Sequence, residues 1–158
     1  MNSKERTIAA ILRQHPDRTP CDFLAELPAL NRLFEHVGHR DKECLLRNLG
    51  VDVRHLDAKT PPEIELGNGL FQNYWGERYI YKKTPWGKMR EDAHGALNNA
   101  ESFADIEGFN WPSVDSFDYS DLAEQCRRYE DYAIVYGFAD VWFRPTLVRG
   151  LELSLIHI

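Results

Sequence analysis

Apolar positions in the first sixty residues alternate between helical and extended rhythms. Ile8, Ile11 and Leu12 fall at helical spacing behind Ser3, an N-cap residue type, and predict a helix over roughly residues 3–14. His15-Pro16 ends it, because the residue before a proline is pushed out of helical dihedrals. Thr19-Pro20-Cys21-Asp22-Phe23 then reads as a short first strand. Leu30, Leu33, Phe34 and Val37 share one face of a helix within 24–37, started near Pro28 and stopped by Gly38. Cys44, Leu45 and Leu49 mark another helix over about 41–49, stopped by Gly50. Val51 to Leu56 alternates apolar and polar, which is the strand period.

The rhythm changes from Pro61 to about Gly95, where Leu70-Phe71, Tyr79-Ile80-Tyr81 and Trp86 sit among Gly67, Gly76 and Gly87. This predicts irregular β-hairpins outside the main body. Ser102 with Asp105 forms a capping-box pattern for a short helix over 102–107. Leu122, Cys126, Tyr129, Ala133 and Tyr136 keep helical spacing and predict a long helix from about 120 to 136, closed by Gly137. Ala139-Asp140-Val141-Trp142-Phe143 is expected to be a last strand leading into Arg144-Pro145. Strand, helix, strand, excursion, helix, strand is the order of an α/β fold with parallel strands and crossovers. Three strands, near 19–23, 51–56 and 139–143, leave an apolar edge unpaired, a liability that proteins normally cover. The pattern therefore reads as unfinished.

Charge narrows the partners. A net charge of -6 speaks against nucleic acid, since a phosphate backbone asks for a basic face. No apolar run approaches the ~18 residues of a membrane span. The opening Met1 to Arg6 carries charge with no apolar run behind it, so it does not read as a signal peptide. Cys21, Cys44 and Cys126 are odd in number and scattered, which points to a reducing cytoplasm rather than a disulfide framework.

The last six residues, Leu153-Ser154-Leu155-Ile156-His157-Ile158, are the translation of CTGTCTCTTATACACATC, a transposon end left by one sequencing-library method. Residues 153–158 are therefore expected to be adapter read-through, foreign to the fold, and His157 no part of its chemistry.

Four stretches resemble the uroporphyrinogen-decarboxylase-like family, in its order. Asn2 to Arg6 running into Pro16-Asp17-Arg18-Thr19-Pro20 is similar to its opening helix, turn and first barrel strand. Leu49-Gly50-Val51-Asp52-Val53-Arg54 is similar to its second strand. Trp75-Gly76, and Phe109-Asn110-Trp111-Pro112-Ser113 with Asp115 and Phe117-Asp118-Tyr119, resemble the Trp-Gly and Trp-Pro-x-x-Asp segments of one subgroup. Gly137-Phe138-Ala139-Asp140 with Leu147-Val148-Arg149-Gly150 stands where its third strand and following helix belong. Each motif is short; the ordered set spans residues 2–152. The resemblance implies an incomplete TIM (β/α)8 barrel, about the first three strands with the hairpin excursion.

Two chemistries follow from the resemblance. Uroporphyrinogen decarboxylases remove acetate carboxyls from a tetrapyrrole without a cofactor, and carry Met-Arg-Gln-Ala-Gly-Arg-Tyr in the first barrel loop. Here that place reads Cys21-Asp22-Phe23-Leu24-Ala25-Glu26-Leu27, with no arginine for a substrate carboxylate. The resemblance accordingly leans to the second branch, methyltransferases acting on a methyl-corrinoid or a corrinoid protein. In these a zinc ion on a His-x-Cys pair and a later Cys activates a thiolate. Those ligands belong to the family's C-terminal half, so no metal site is expected within these residues, and activity is expected of the full-length parent rather than of this stretch. A third reading is a barrel that binds tetrapyrrole or corrinoid without catalysis.

In such a barrel the chemistry gathers at the carboxyl ends of the strands. That singles out Asp22, Asp52, Arg54, His55 and Arg144 as substrate-binding candidates. Four of them have a plainer alternative: a helix-capping Asp22, a buried structural Asp52, a surface pair in Arg54 and His55; Arg144 follows an apolar strand and is expected to face the same rim. Trp75, Tyr79, Tyr81 and Trp86 either cover a flat ligand or form the small core of the excursion, and Cys126 is packing on a helix stripe.

Overall fold

A computed structural model describes residues 1–85, 87–137 and 141–156. The chain divides into two units, Met1–Ala58 with Tyr119–Gly137 and Lys59–Asp118 with Phe138–Ile158. The first begins with α1 (Ser3–Ile11), capped by Asn2 rather than Ser3: Asn2 Oδ1 accepts from the Glu5 N–H at 2.8 Å, and Glu5 Oε2 from the Asn2 N–H at 2.9 Å. This reciprocal pairing satisfies two of the donors a helix start leaves bare. α2 (Leu27–Val37) starts three residues later than its apolar pattern suggests, with Pro28 in the first turn, where its missing N–H costs nothing. Gly38 closes it at φ 77°, a conformation that side chains resist. α3 (Lys42–Asn48) is capped by Asp41, and β1 (Val53–Leu56) follows Asp52.

The excursion is an antiparallel meander: β2 (Ile64–Gly67), β3 (Leu70–Gln72), β4 (Arg78–Thr84) and β5 (Gly87–His94), paired in chain order. The hairpins expected between Pro61 and Gly95 are thus one four-stranded sheet. α4 (Phe103–Glu107) carries the expected capping box of Ser102 and Asp105, and a single 3-10 turn spans Val114–Ser116.

The chain re-enters the first unit at Tyr119 through α5 (Leu122–Arg128) and then β6 (Ala133–Tyr136), which runs parallel to β1 with Val53 opposite Ala133 and Leu56 opposite Tyr136. The second unit ends with α6 (Phe143–Arg149) and α7 (Leu151–Ile156). The result is a mixed α/β chain with a two-stranded parallel sheet and a separate four-stranded antiparallel one.

Three expectations are corrected. The helix over 120–136 ends at Arg128, and its last residues are the strand: Ala133 and Tyr136 fit a helical stripe, but Ile134-Val135 between them is a β-branched pair that prefers extended backbone. The strand over 139–143 is not formed where it is described: Val141 and Trp142 turn and Phe143 opens α6, whose first turn accepts Pro145; Ala139 and Asp140 lie outside the described residues. Residues 19–23 build no ladder. The Asp52 N–H donates to the Cys21 carbonyl at 2.8 Å, while the Cys21 N–H is taken by the Asp52 carboxylate and Pro20 has none to give. Two parallel strands result in place of three.

Leu45, Leu46, Val51, Val53, Leu56, Phe34 and Ala9 are buried in the first unit. In the second, Tyr79 is fully buried against Phe71 and Tyr81, and Val148 packs under the 95–98 turn. Gly95 is required there, because a Cβ would stand 2.4 Å from the Val148 carbonyl oxygen.

Candidate functional site at the end of the parallel strand

Asp52 sits immediately before β1 and is completely buried. Its carboxylate accepts from Arg6 Nη1 at 2.6 Å, from Arg18 Nη1 and Nη2 at 2.7 and 3.0 Å, and from the Cys21 N–H at 2.8 Å. Burial opposes the charge, yet the Cys21 N–H and the two arginines outweigh it and hold the carboxyl below its ordinary range. Arg6 also forks onto Asp17, whose hydrogen bond and charge raise the Arg6 pKa further while Arg6 lowers that of Asp17. Asp52 is therefore the knot that ties α1, the Pro16-Asp17-Arg18 turn and β1 together. It presents no oxygen to a substrate.

Arg54 points inward as well. It is 3% exposed, forks onto Glu43 at 2.8 and 3.0 Å, donates Nη1 to the carbonyls of Val51 and Val53, and lies 3.7 Å from the Tyr132 ring centroid. Neither the rim position nor the surface pairing expected of it is realised. Its strand direction places it on the face opposite His55.

His55 and Asp22 do meet. His55 Nε2 lies 2.8 and 3.0 Å from the two oxygens of Asp22, near the carboxyl end of β1, with both side chains partly open to solvent. A carboxylate accepts, so the imidazole nitrogen that faces Asp22, Nε2, is the one placed to carry a proton, and in a neutral ring Nδ1 is then the acceptor. A carboxylate-oriented imidazole is the minimal equipment for moving a proton. Beside it a narrow cleft of about 140 Å³ lies between Phe23-Leu24, α3 and the end of α5, too small for a cofactor-sized ligand. Among the described residues Asp22 caps no helix, and apart from His55 its carboxylate accepts only the Phe23 N–H, at 2.7 Å.

Arg144 belongs to the second unit, in α6. Its Nη1 donates to Glu77 Oε1 at 3.0 Å and its guanidinium stands 5.1 Å from the Trp75 ring, so it is the ion-pair partner of a buried carboxylate rather than a strand-end residue. Glu77 holds Arg90 too, at 2.9 Å, and Arg90 lies 4.1 Å over Tyr79. Tyr79 is thus core; Trp86 lies outside the described residues. Of the five expected residues, the geometry joins only Asp22 and His55 into an open site. Arg6, Arg18 and Glu77 were missed, although the Pro16-Asp17-Arg18 turn was visible as a motif.

Cys21, Cys44 and Cys126 are free thiols, and Cys126 is exposed rather than packed. Among the described residues no three His, Cys, Asp or Glu side chains group as a metal site, so they do not fit zinc. No helix among them is long and apolar enough to cross a membrane. Compared with known proteins, the chain matches no family model, no curated protein and no solved structure.

Proposed function

We propose that this chain supplies the opening β/α units of a uroporphyrinogen-decarboxylase-like (β/α)8 barrel enzyme, and that the enzyme transfers methyl groups with a corrinoid partner. The observation that carries the reading is the Asp22–His55 pair near the carboxyl end of a parallel strand, where barrel enzymes gather their chemistry. The parallel pairing of β1 with β6 across a helix is the connection such a barrel repeats. Asp22 stands in the loop where decarboxylases place arginine, so this rim favours proton handling over binding of a polycarboxylate.

The chain's own residues divide the work. Asp52 with Arg6 and Arg18 fixes the turn that presents Asp22, and Asp22 orients His55. His55 exchanges a proton with a group on the rim through Nδ1. The zinc and the activated thiol of such methyltransferases would come from other parts of the enzyme.

Reading the coding DNA in its source genome past codon 152 tests this. The expected frame continues through further strand–helix units to a His-x-Cys and a distant Cys. Protein from that frame is expected to demethylate methylcobalamin in the presence of a thiol, with His55→Asn lowering turnover about a hundredfold or more. A native stop after Ile158, or a continuing frame without the zinc ligands, overturns the methyltransferase reading. Turnover of uroporphyrinogen would move the enzyme to the other branch.

A further inference from the structure

The second unit contains a cavity of about 720 Å³ with almost wholly apolar walls, independent of the Asp22–His55 rim and of the function proposed for it. Trp75, Trp111, Phe103 and Ile106 form one side and Val148 and Arg149 of α6 another. The volume falls within the range of ordinary small-molecule sites. Its aromatic and aliphatic walls are left open to solvent: Phe103 is 71% exposed, Trp111 46% and Ile106 40%. Large apolar side chains grouped in a concavity and left uncovered are the mark of a surface that receives something apolar.

Arg149 adds a specific polar element. Its Nη1 is locked by the carbonyls of Leu97 and Ala100, both at 2.6 Å, so the guanidinium is fixed in the wall without a flexible stem to order. Among the described residues it has no carboxylate partner, and its Nε and Nη2 meet no acceptor. Arg144, also in the wall, is already matched by Glu77. Glu101 lines the cavity too, but it is exposed and lies beyond ion-pair distance of either arginine. The half-buried, immobilised charge is thus a cation with donors to spare, and a charge-assisted hydrogen bond to an anion is about twice as strong as a neutral one.

We propose that this cavity binds a flat, apolar carboxylic acid, its ring body against Trp75, Trp111 and Phe103 and its carboxylate on Arg149. Indole and phenyl walls favour a flat ring through offset and edge contacts. A polyanion such as nucleic acid is not served by one fixed guanidinium.

Titration of the chain with 1-pyrenebutyrate, and in parallel with the uncharged 1-pyrenebutanol, tests the proposal, read by energy transfer from tryptophan to pyrene. The acid is expected to saturate at one per chain and to bind about tenfold tighter than the alcohol. Ile106→Glu, an exposed position whose new carboxylate faces the cavity, is expected to weaken the acid at least tenfold and the alcohol less. Phe103→Ala is expected to weaken both by a few-fold. Arg149→Gln is expected to abolish the preference for the acid and Arg149→Lys to retain it; should either lose its thermal transition, Ile106→Glu decides. Equal affinity for acid and alcohol, binding that never saturates, or binding indifferent to Ile106→Glu overturns the assignment.

Discussion

Each unit buries one carboxylate between two arginines, and the surroundings of the two differ. Asp52 in the first is fully buried, and Leu45, Leu46, Val51 and Val53 are buried in the same unit. Glu77 in the second is 1% exposed, and its partners Arg90 and Arg144 both keep about a third of their side-chain surface in water, whereas of the partners of Asp52 Arg18 is open and Arg6 is 11% exposed. Apart from Tyr79 and Val148, the described large apolar residues of the second unit are partly or largely exposed, with Phe103, Val114 and Phe143 at half or more. A buried ion pair decides which segments meet, because leaving one member alone is costly. It does not replace apolar area, which supplies roughly 25 cal/mol for each Å² removed from water. The first unit has both contributions; the second leans on the ion pairs and on ring contacts. Hydrogen exchange read unit by unit is therefore expected to show β4 and α6 opening before β1.

The largest effect is expected from Asp52→Ala. It leaves Arg18 without its carboxylate and Arg6 with only Asp17, and the loss expected on removing one member of a buried pair is about 3–5 kcal/mol. Glu77→Ala is expected to cost the second unit less, about 2 kcal/mol, since both of its arginines keep about a third of their surface in water whereas Arg6 keeps 11%. Chemical denaturation followed by exchange in each unit measures both. A larger loss from Glu77 would reverse the comparison.

Apolar truncation sharpens the same contrast. Leu45 is 1% exposed, and Leu45→Ala is expected to remove about 3 kcal/mol by lost transfer energy and the cavity left behind. Val148→Ala removes a smaller group at 4% exposure, for about 1.5 kcal/mol. Equal losses would mean that the second unit is packed as firmly as the first.

Acid should act on the first unit through the same knot. Asp17 and Asp52 are both held below the ordinary carboxylate range in the folded chain, Asp17 chiefly by its hydrogen bond to Arg6. A depressed carboxylate contributes stability that is fully present above its unfolded pKa of ~4 and lost as pH falls toward the folded value. Melting temperature is expected to hold between about pH 7 and 5 and to fall below about pH 4. Asp52→Asn should flatten that fall; a decline as steep as the native one would place the acid-sensitive groups elsewhere.

How far these features were readable from the chain depended on how local they are. The helix over Ser3–Ile11, the glycine stop at Gly38, the capping box at Ser102 and the strand at Val53–Leu56 rest on neighbours within a turn, and their patterns announce them. The strand Ala133–Tyr136 was hidden because its ends also fit the stripe of the helix before it, and only pairing with β1, some eighty residues earlier, selects the extended form. The site divides likewise. A buried structural Asp52 was among the readings its place in the strand allowed, while Arg54 looked like a rim or surface residue; the partners that hold them, Arg6, Arg18 and Glu43, are connected to them by no spacing rule. Arg144 was placed at a strand end that is the first turn of a helix, so its partner Glu77, sixty-seven residues away, could not be inferred.

The smallest effect belongs to Asp22, and it separates the two candidate aspartates. Asp22 and His55 keep 43% and 27% of their side-chain surface in water, so their pairing replaces hydrogen bonds that solvent would supply. Exposed ion pairs are worth about 0–1 kcal/mol, and Asp22→Asn, which keeps the shape and an acceptor oxygen, is expected to change stability by less than about 1 kcal/mol. Its effect should appear on His55: the amide keeps one acceptor oxygen but not the charge that holds Nε2–H, so that ring proton is expected to exchange with water faster than in the parent chain. The exchange rate of the His55 Nε2–H measured by NMR, alongside a denaturation curve, gives both readings. A loss of stability comparable with that of Asp52→Ala would make Asp22 a second structural knot. An unchanged exchange rate would show that the carboxylate does not hold the imidazole, and the proton-handling role proposed for the pair would fail with it.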